Sequence, residues 1–136
     1  MKTVTGLLKV LIVEDDLELA MSFEEAATGG GFLVCGHATS SEGAAKLAEQ
    51  ADLAIVDIHL GGEDGTDVGK MLSDRWKVTV LFVTASPEIV AKGFPEAIGV
   101  IAKPVSSPDL VAALDYARAR RADESPVPPP ALIGFA

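Results

Sequence analysis

Five short apolar runs alternate along this chain with segments of helical periodicity, and that alternation restricts the possible folds more than any other feature of the sequence. The runs are Leu7–Val13, Phe32–His37, Leu53–Asp57, Val78–Val83 and Ile98–Ala102, rich in the branched residues of buried strands. Between them, Leu19, Phe23 and Ala26 recur at helical spacing up to Gly29-Gly30-Gly31. Thr39-x-x-Glu42 has the form of a capping box ahead of Ala44, Leu47, Ala48 and Ala51, and Val68, Met71, Leu72 and Trp76 trace one helical face. Ser86-Pro87-Glu88 predicts a fourth helix, ended early by Gly93 and Pro95, and Ser107-Pro108-Asp109 caps a last one carrying Leu110, Leu114 and Ala117. Strands joined through helices run parallel, with right-handed crossovers that put helices on both faces. An α/β, doubly wound, five-stranded parallel sheet in the order 2-1-3-4-5 is therefore expected.

Length allows one such domain, over residues 7–121 of 136, with a hydrophobic content of 49% to fill its core. A net charge of -9 and scattered Lys and Arg disfavour nucleic acid as a partner. The single Cys35 lies in an apolar run and reads as a buried thiol of a reducing compartment; with His37 and His59 it lacks a fourth ligand spaced for zinc. Met1–Gly6 has neither signal-peptide nor transmembrane length, so a cytoplasmic chain with no membrane partner is expected. Residues 122–136 hold four of the eight prolines and no helical period, which reads as a flexible or extended tail. Its stiff Pro128-Pro129-Pro130 precedes the apolar Ala131-Leu132-Ile133-Gly134-Phe135, a pairing that predicts docking on its own domain or on a partner.

In open α/β sheets, ligands bind outside the carboxyl ends of the strands, where strand order reverses. Those ends carry Glu14 and Asp15, Asp57, Thr84 and Lys103. Carboxylates crowded on one rim repel each other unless a cation sits among them, and an oxygen-rich cluster of this type suits Mg²⁺. A metal-neutralised Asp can act as a nucleophile toward phosphorus; Thr84 can donate to a phosphoryl oxygen, and Lys103 can supply a point charge.

The set Glu14/Asp15, Asp57, Thr84-Ala85 and Lys103-Pro104, in that order at those strand ends, resembles the receiver domain of two-component response regulators. The resemblance covers residues 7–121 and implies a flavodoxin-like sheet. It implies phosphotransfer onto Asp57 from a histidine kinase or histidine phosphotransfer protein. It further implies Mg²⁺ held through Asp15, Asp57 and the backbone carbonyl of His59, with Glu14 acting through water, and a phosphoryl group bound by Thr84, Ala85 and Lys103. Such a chain catalyses only its own phosphorylation and dephosphorylation. As a stand-alone receiver it would signal by docking to a downstream protein or as a homodimer.

Two features depart from the family pattern. The position three before the lysine, often aromatic in receivers, is Val100, and Thr84 to Lys103 spans only 19 positions. They favour, as alternatives, a phosphorylation-independent interaction module; a small aspartyl-phosphate phosphatase would want a cap that the chain is too short to build.

Overall fold

The computed structural model describes residues 7–89 and 97–135. In chain order the elements are β1 (Lys9–Val13), α1 (Leu17–Gly29), β2 (Leu33–Ala38), α2 (Ser41–Leu47), β3 (Leu53–Asp57), β4 (His59–Leu60), β5 (Glu63–Asp64), α3 (Gly65–Trp76), β6 (Thr79–Thr84), β7 (Ala97–Ala102), α4 (Ser107–Arg121) and β8 (Leu132–Gly134). The main sheet runs β2-β1-β3-β6-β7-β8. Its first five strands are parallel and follow the expected 2-1-3-4-5 order. The expected count of five is corrected to six, because the tail adds β8 antiparallel to β7.

Two apolar layers flank the sheet. Phe23, Leu110 and Leu114 join α1 and α4 to one face, whereas Val68, Leu72 and Phe82 join α3 to the other. Phe23 and Phe82 are among the largest fully buried side chains, and truncating either to Ala would cost about 3–5 kcal/mol. The carboxyl-terminal end of α4 is held at the far end of the sheet. There Arg121 Nη1 donates to the carbonyls of Asp52 and Lys77, each at 2.9 Å, and to Thr79 Oγ1 at 3.1 Å.

Several local expectations shift by a residue. The N-cap of α2 is Ser40, which accepts from Gly43 N, and that of α4 is Ser106, which accepts from Asp109 N. Thr39 and Ser107 are not the caps, since neighbouring hydroxyls compete and strand geometry decides which one leaves the helix axis. The loop after Asp57 contains the two-residue ladder β4–β5. Pro87–Ile89 forms one 3₁₀ turn, and the rest of the expected fourth helix, residues 90–96, lies outside the described residues, as does the Met1–Gly6 reading. Cys35 is half-buried rather than buried, because β2 is the sheet's outer strand.

Candidate functional site

The site is built from four strand ends. Glu14 and Asp15 leave β1, Asp57 ends β3, Thr84 ends β6, and Lys103 follows β7. Glu14 and Asp57 are buried and Asp15 is exposed, yet one oxygen from each lies within 4.8 Å of the others.

Lys103 Nζ stands between the two buried acids, 3.0 Å from Asp57 Oδ2 and 3.1 Å from Glu14 Oε1. The other Asp57 oxygen, Oδ1, accepts from the backbone N–H of His59 at 3.0 Å. Glu14 Oε2 accepts from Asp16 N at 3.2 Å. Glu14 Oε1, although close to the ammonium, has no hydrogen bond of good geometry. Burial pushes the Glu14 carboxyl up from the ordinary glutamate range, against the Asp16 N–H and Lys103, which favour its charged form. At Lys103 burial acts to lower the pKa, but the hydrogen bonds and charges of Asp57 and Glu14 outweigh it and the ammonium is held above its usual range.

Three carboxylates and one buried oxygen without a well-made hydrogen bond fit a hard divalent cation, which takes oxygen ligands and keeps waters. Glu14, Asp15 and Asp57 are the side chains that can hold it. His59 lies at the rim through its backbone, and its ring is exposed as expected for a residue that contributes no side chain.

Thr84 is fully buried, and it follows Val83, the residue paired with Asp57 in the β3–β6 ladder. Its Oγ1 accepts from Ser86 N at 3.1 Å, so the hydroxyl proton is left to donate elsewhere. Ala85 is exposed beside it. The Thr84 carbonyl accepts from Lys103 N at 2.8 Å, which fixes the start of the lysine against β6, and the Lys103–Pro104 peptide is cis. Val100, the position without an aromatic, is fully buried.

Three supporting residues escaped the sequence reading. Gly65 opens α3 directly against the Asp57–Ile58 backbone, and a Cβ there would overlap the Asp57 carbonyl oxygen. His37 Nε2 is 2.9 Å from the Glu14 carbonyl oxygen, tying β2 to the acidic end of β1. Glu63 grips Ser41, whose backbone N–H and hydroxyl both donate to its carboxylate at 2.7 and 2.5 Å. Of these, only Gly65 left a sequence signal, a glycine between a turn and a helical stripe.

The sequence model of the response regulator receiver domain matches residues 10–115. The chain is 34% identical over 114 residues to the phyllosphere-induced regulator PhyR of Methylorubrum extorquens, covering 80% of this chain and 43% of that protein. It is also 34% identical over 122 residues to the sensory transduction protein RegX3 of Mycobacterium tuberculosis, covering 85% and 52%. The chain thus spans about half the length of these curated relatives. The solution NMR structure of the PhyR receiver domain from Erythrobacter litoralis has the same fold, with a TM-score of 0.78 at 24% identity over 92% of this chain and 100% of that one.

Proposed function

Since this chain belongs to the response regulator receiver domain family, we propose that it accepts a phosphoryl group on Asp57 from a histidine kinase or histidine phosphotransfer protein in a two-component phosphorelay. The observation that carries this reading is the Asp57 carboxylate at the strand end, one oxygen on the His59 N–H and the other on Lys103 Nζ, with two further acids beside it. In transfer, a carboxylate oxygen of Asp57 forms the O–P bond while the P–N bond of the donor's phosphohistidine breaks, and the leaving imidazole keeps the electron pair. Lys103 offsets the charge gathering on the phosphoryl oxygens, and Thr84 donates its free hydroxyl proton to one of them. Asp15, Asp57 and the His59 carbonyl would hold Mg²⁺, with Glu14 acting through water; the ion supplies charge neutralisation. The exposed Ala85 leaves room for the phosphoryl group next to Thr84.

The chain would catalyse only its own phosphorylation and dephosphorylation, and residues 7–121 would form the receiver body with 122–136 as an appended tail. Output would pass by docking to a downstream protein or by homodimerisation, in the cytoplasm. No helix among the described residues is long and apolar enough to cross a membrane. The buried Val100 favours a second reading, a docking module that works without phosphorylation.

Incubation with acetyl phosphate and Mg²⁺ separates these readings. An intact mass raised by one phosphoryl group, and abolished by Asp57→Asn, supports the phosphoacceptor. No adduct supports the module, turnover of small phosphomonoesters supports a phosphatase, and phosphate that persists in Asp57→Asn overturns the assignment.

A further inference from the structure

The β4–β5 hairpin runs beside the acidic rim. Its base is fixed by Ile58 N, which donates to the Val83 carbonyl at 3.1 Å, and by the buried side chains of Ile58 and Leu60. In its ladder His59 faces Asp64 and Leu60 faces Glu63. The turn between the two strands is Gly61-Gly62, with Gly61 at φ 58°, and a Cβ on Gly61 would stand 3.6 Å from Asp15 Oδ2. One strand of the hairpin thus supplies the N–H on Asp57 Oδ1, and the turn borders Asp15. A ladder of two residues per strand closed by glycines is too short to hold its own shape in water. It is fastened from outside. Asp64 Oδ1 accepts from Thr66 N at 2.9 Å and from Thr66 Oγ1 at 2.7 Å, which ties the hairpin to α3. Glu63 ties it to α2, where Oε1 accepts from Ser41 N at 2.7 Å and Oε2 from the Ser41 hydroxyl at 2.5 Å.

The tandem serines at the start of α2 divide two tasks. Ser40 caps the helix, its hydroxyl oxygen accepting from Gly43 N at 3.1 Å. Ser41 is the first helical residue, whose N–H has no acceptor within the helix, and Glu63 supplies one from 22 positions away. α2 is a firm post for this purpose, since Ala44 is fully buried in the same apolar layer as Ile58 and Leu60. With each carboxylate oxygen gripped by its own donor, the plane of the Glu63 group is set as well as its position.

We infer that Glu63 and Ser41 are positioning residues for Asp57: through the hairpin, their clamp keeps the His59 N–H on Asp57 Oδ1 and so aims the carboxylate. Asp57 accepts from His59 N on Oδ1 and from Lys103 Nζ on Oδ2, so a hairpin that drifts leaves the group tethered at one oxygen and free to turn about that tether. Misplacing a reacting group by about 1 Å can cost on the order of a hundredfold in rate, and a clamp one hairpin away from the nucleophile is expected to control a small part of that. The effect on rate rests on the phosphoacceptor role proposed above, whereas the His59 contact is present without any phosphodonor, so either can fail without the other.

The test is amide hydrogen exchange on the full chain in EDTA, followed by adduct formation in acetyl phosphate and Mg²⁺. Ser41→Ala removes one donor without changing the charge, and Glu63→Gln weakens the acceptor. Both are expected to speed exchange of the His59 amide at least fivefold while the amides of Ile12 and Ile55, in the buried strands β1 and β3, keep their rates. Both are also expected to slow adduct formation at least threefold. Ser41→Thr keeps the hydroxyl and should restore the wild-type values, and Glu42→Gln, which removes the same charge from the exposed neighbouring residue, should change neither. A His59 rate unmoved by Ser41→Ala and Glu63→Gln overturns the inference. So does a rate that rises together with those of Ile12 and Ile55, which makes the clamp a fastening of the whole fold. Adduct formation at the wild-type rate despite a faster His59 amide overturns it as well, because Asp57 would then be aimed by Lys103 alone. A wild type that forms no adduct sinks the phosphoacceptor role, and the exchange rates by themselves then decide whether the clamp holds His59 on Asp57.

Discussion

Gly65 sits so close to Asp57 that a side chain at Gly65 would occupy the space of the Asp57 carbonyl oxygen and come 2.6 Å from Ile58 Cα. The first residue of α3 and the last of β3 are thus packed backbone to backbone, with Gly65 N donating to the Ile58 carbonyl at 2.7 Å. Ordinarily Gly→Ala at a helix start stabilises; here the methyl group has nowhere to go. Gly65→Ala is expected to cost about 2–3 kcal/mol, a fall in melting temperature on the order of 5–10 °C, and to slow phosphorylation by displacing Asp57. Thermal melts and adduct formation in acetyl phosphate check both, and an unchanged melt would mean the loop yields freely.

Lys103 already supplies the cation that its crowded carboxylates need. Lys103→Met leaves Glu14 and Asp57 buried without it, at a cost of about 3 kcal/mol in EDTA. On the proposed metal site, saturating Mg²⁺ should return much of that by binding the folded form, where it would meet no competing ammonium. Melts in EDTA and in Mg²⁺ at fixed ionic strength report the difference; an equal loss in both would show that the three acids share no ion.

The Thr84 hydroxyl has one observed contact, the Ser86 N–H, and one proposed one, the phosphoryl group, and substitution can divide them. Thr84→Ala removes the acceptor of the Ser86 N–H and is expected to cost about 1–3 kcal/mol while lowering the yield of phosphorylated protein. Thr84→Ser keeps the hydroxyl and should keep both. A Ser variant as poor in adduct as the Ala variant would remove the hydroxyl from the mechanism.

The Glu63–Ser41 clamp makes a pH prediction. Hydrogen bonds from the Ser41 hydroxyl and backbone lower the folded pKa of Glu63 below its ordinary 4.5. Folding is therefore favoured by the ionised form, and the contribution is complete above that ordinary value and lost as pH falls through the lowered one. The stability gap between wild type and Glu63→Gln is expected to hold steady at neutral pH and to close in acid. A gap that widens in acid would reverse the sign of the clamp.

The acidic rim was readable because each of its residues stands where an apolar run stops, and parallel topology brings all such stops to one side of the sheet. Asp57, Lys103 and Glu14 needed no more than that. Gly65 was partly hidden, since its role lies in a backbone contact that no residue pattern encodes. Ser41 and Glu63 are 22 positions apart with no periodicity linking them. Ser40 and Ser106 were missed as caps because each has a hydroxyl neighbour equally able to cap. The tail was legible as an apolar segment behind a proline spacer, but three residues are too few to display the alternation of a strand, and their pairing depends on a bare edge contributed by β7.

That bare edge has a consequence for solubility. Ala97–Ala102 carries neither charge nor proline, so with β8 gone it becomes an apolar margin with unpaired backbone groups, interrupted only by the register shift of its ladder with β6 between Val80 and Leu81. On the opposite margin the β1–β2 ladder has its own register shift, between Val10 and Leu11. The short, proline-flanked β8 is the guard on the β7 side, and nicking the exposed linker by a protease would expose a template for aggregation. Loss of β8 is therefore expected to cost solubility as well as stability.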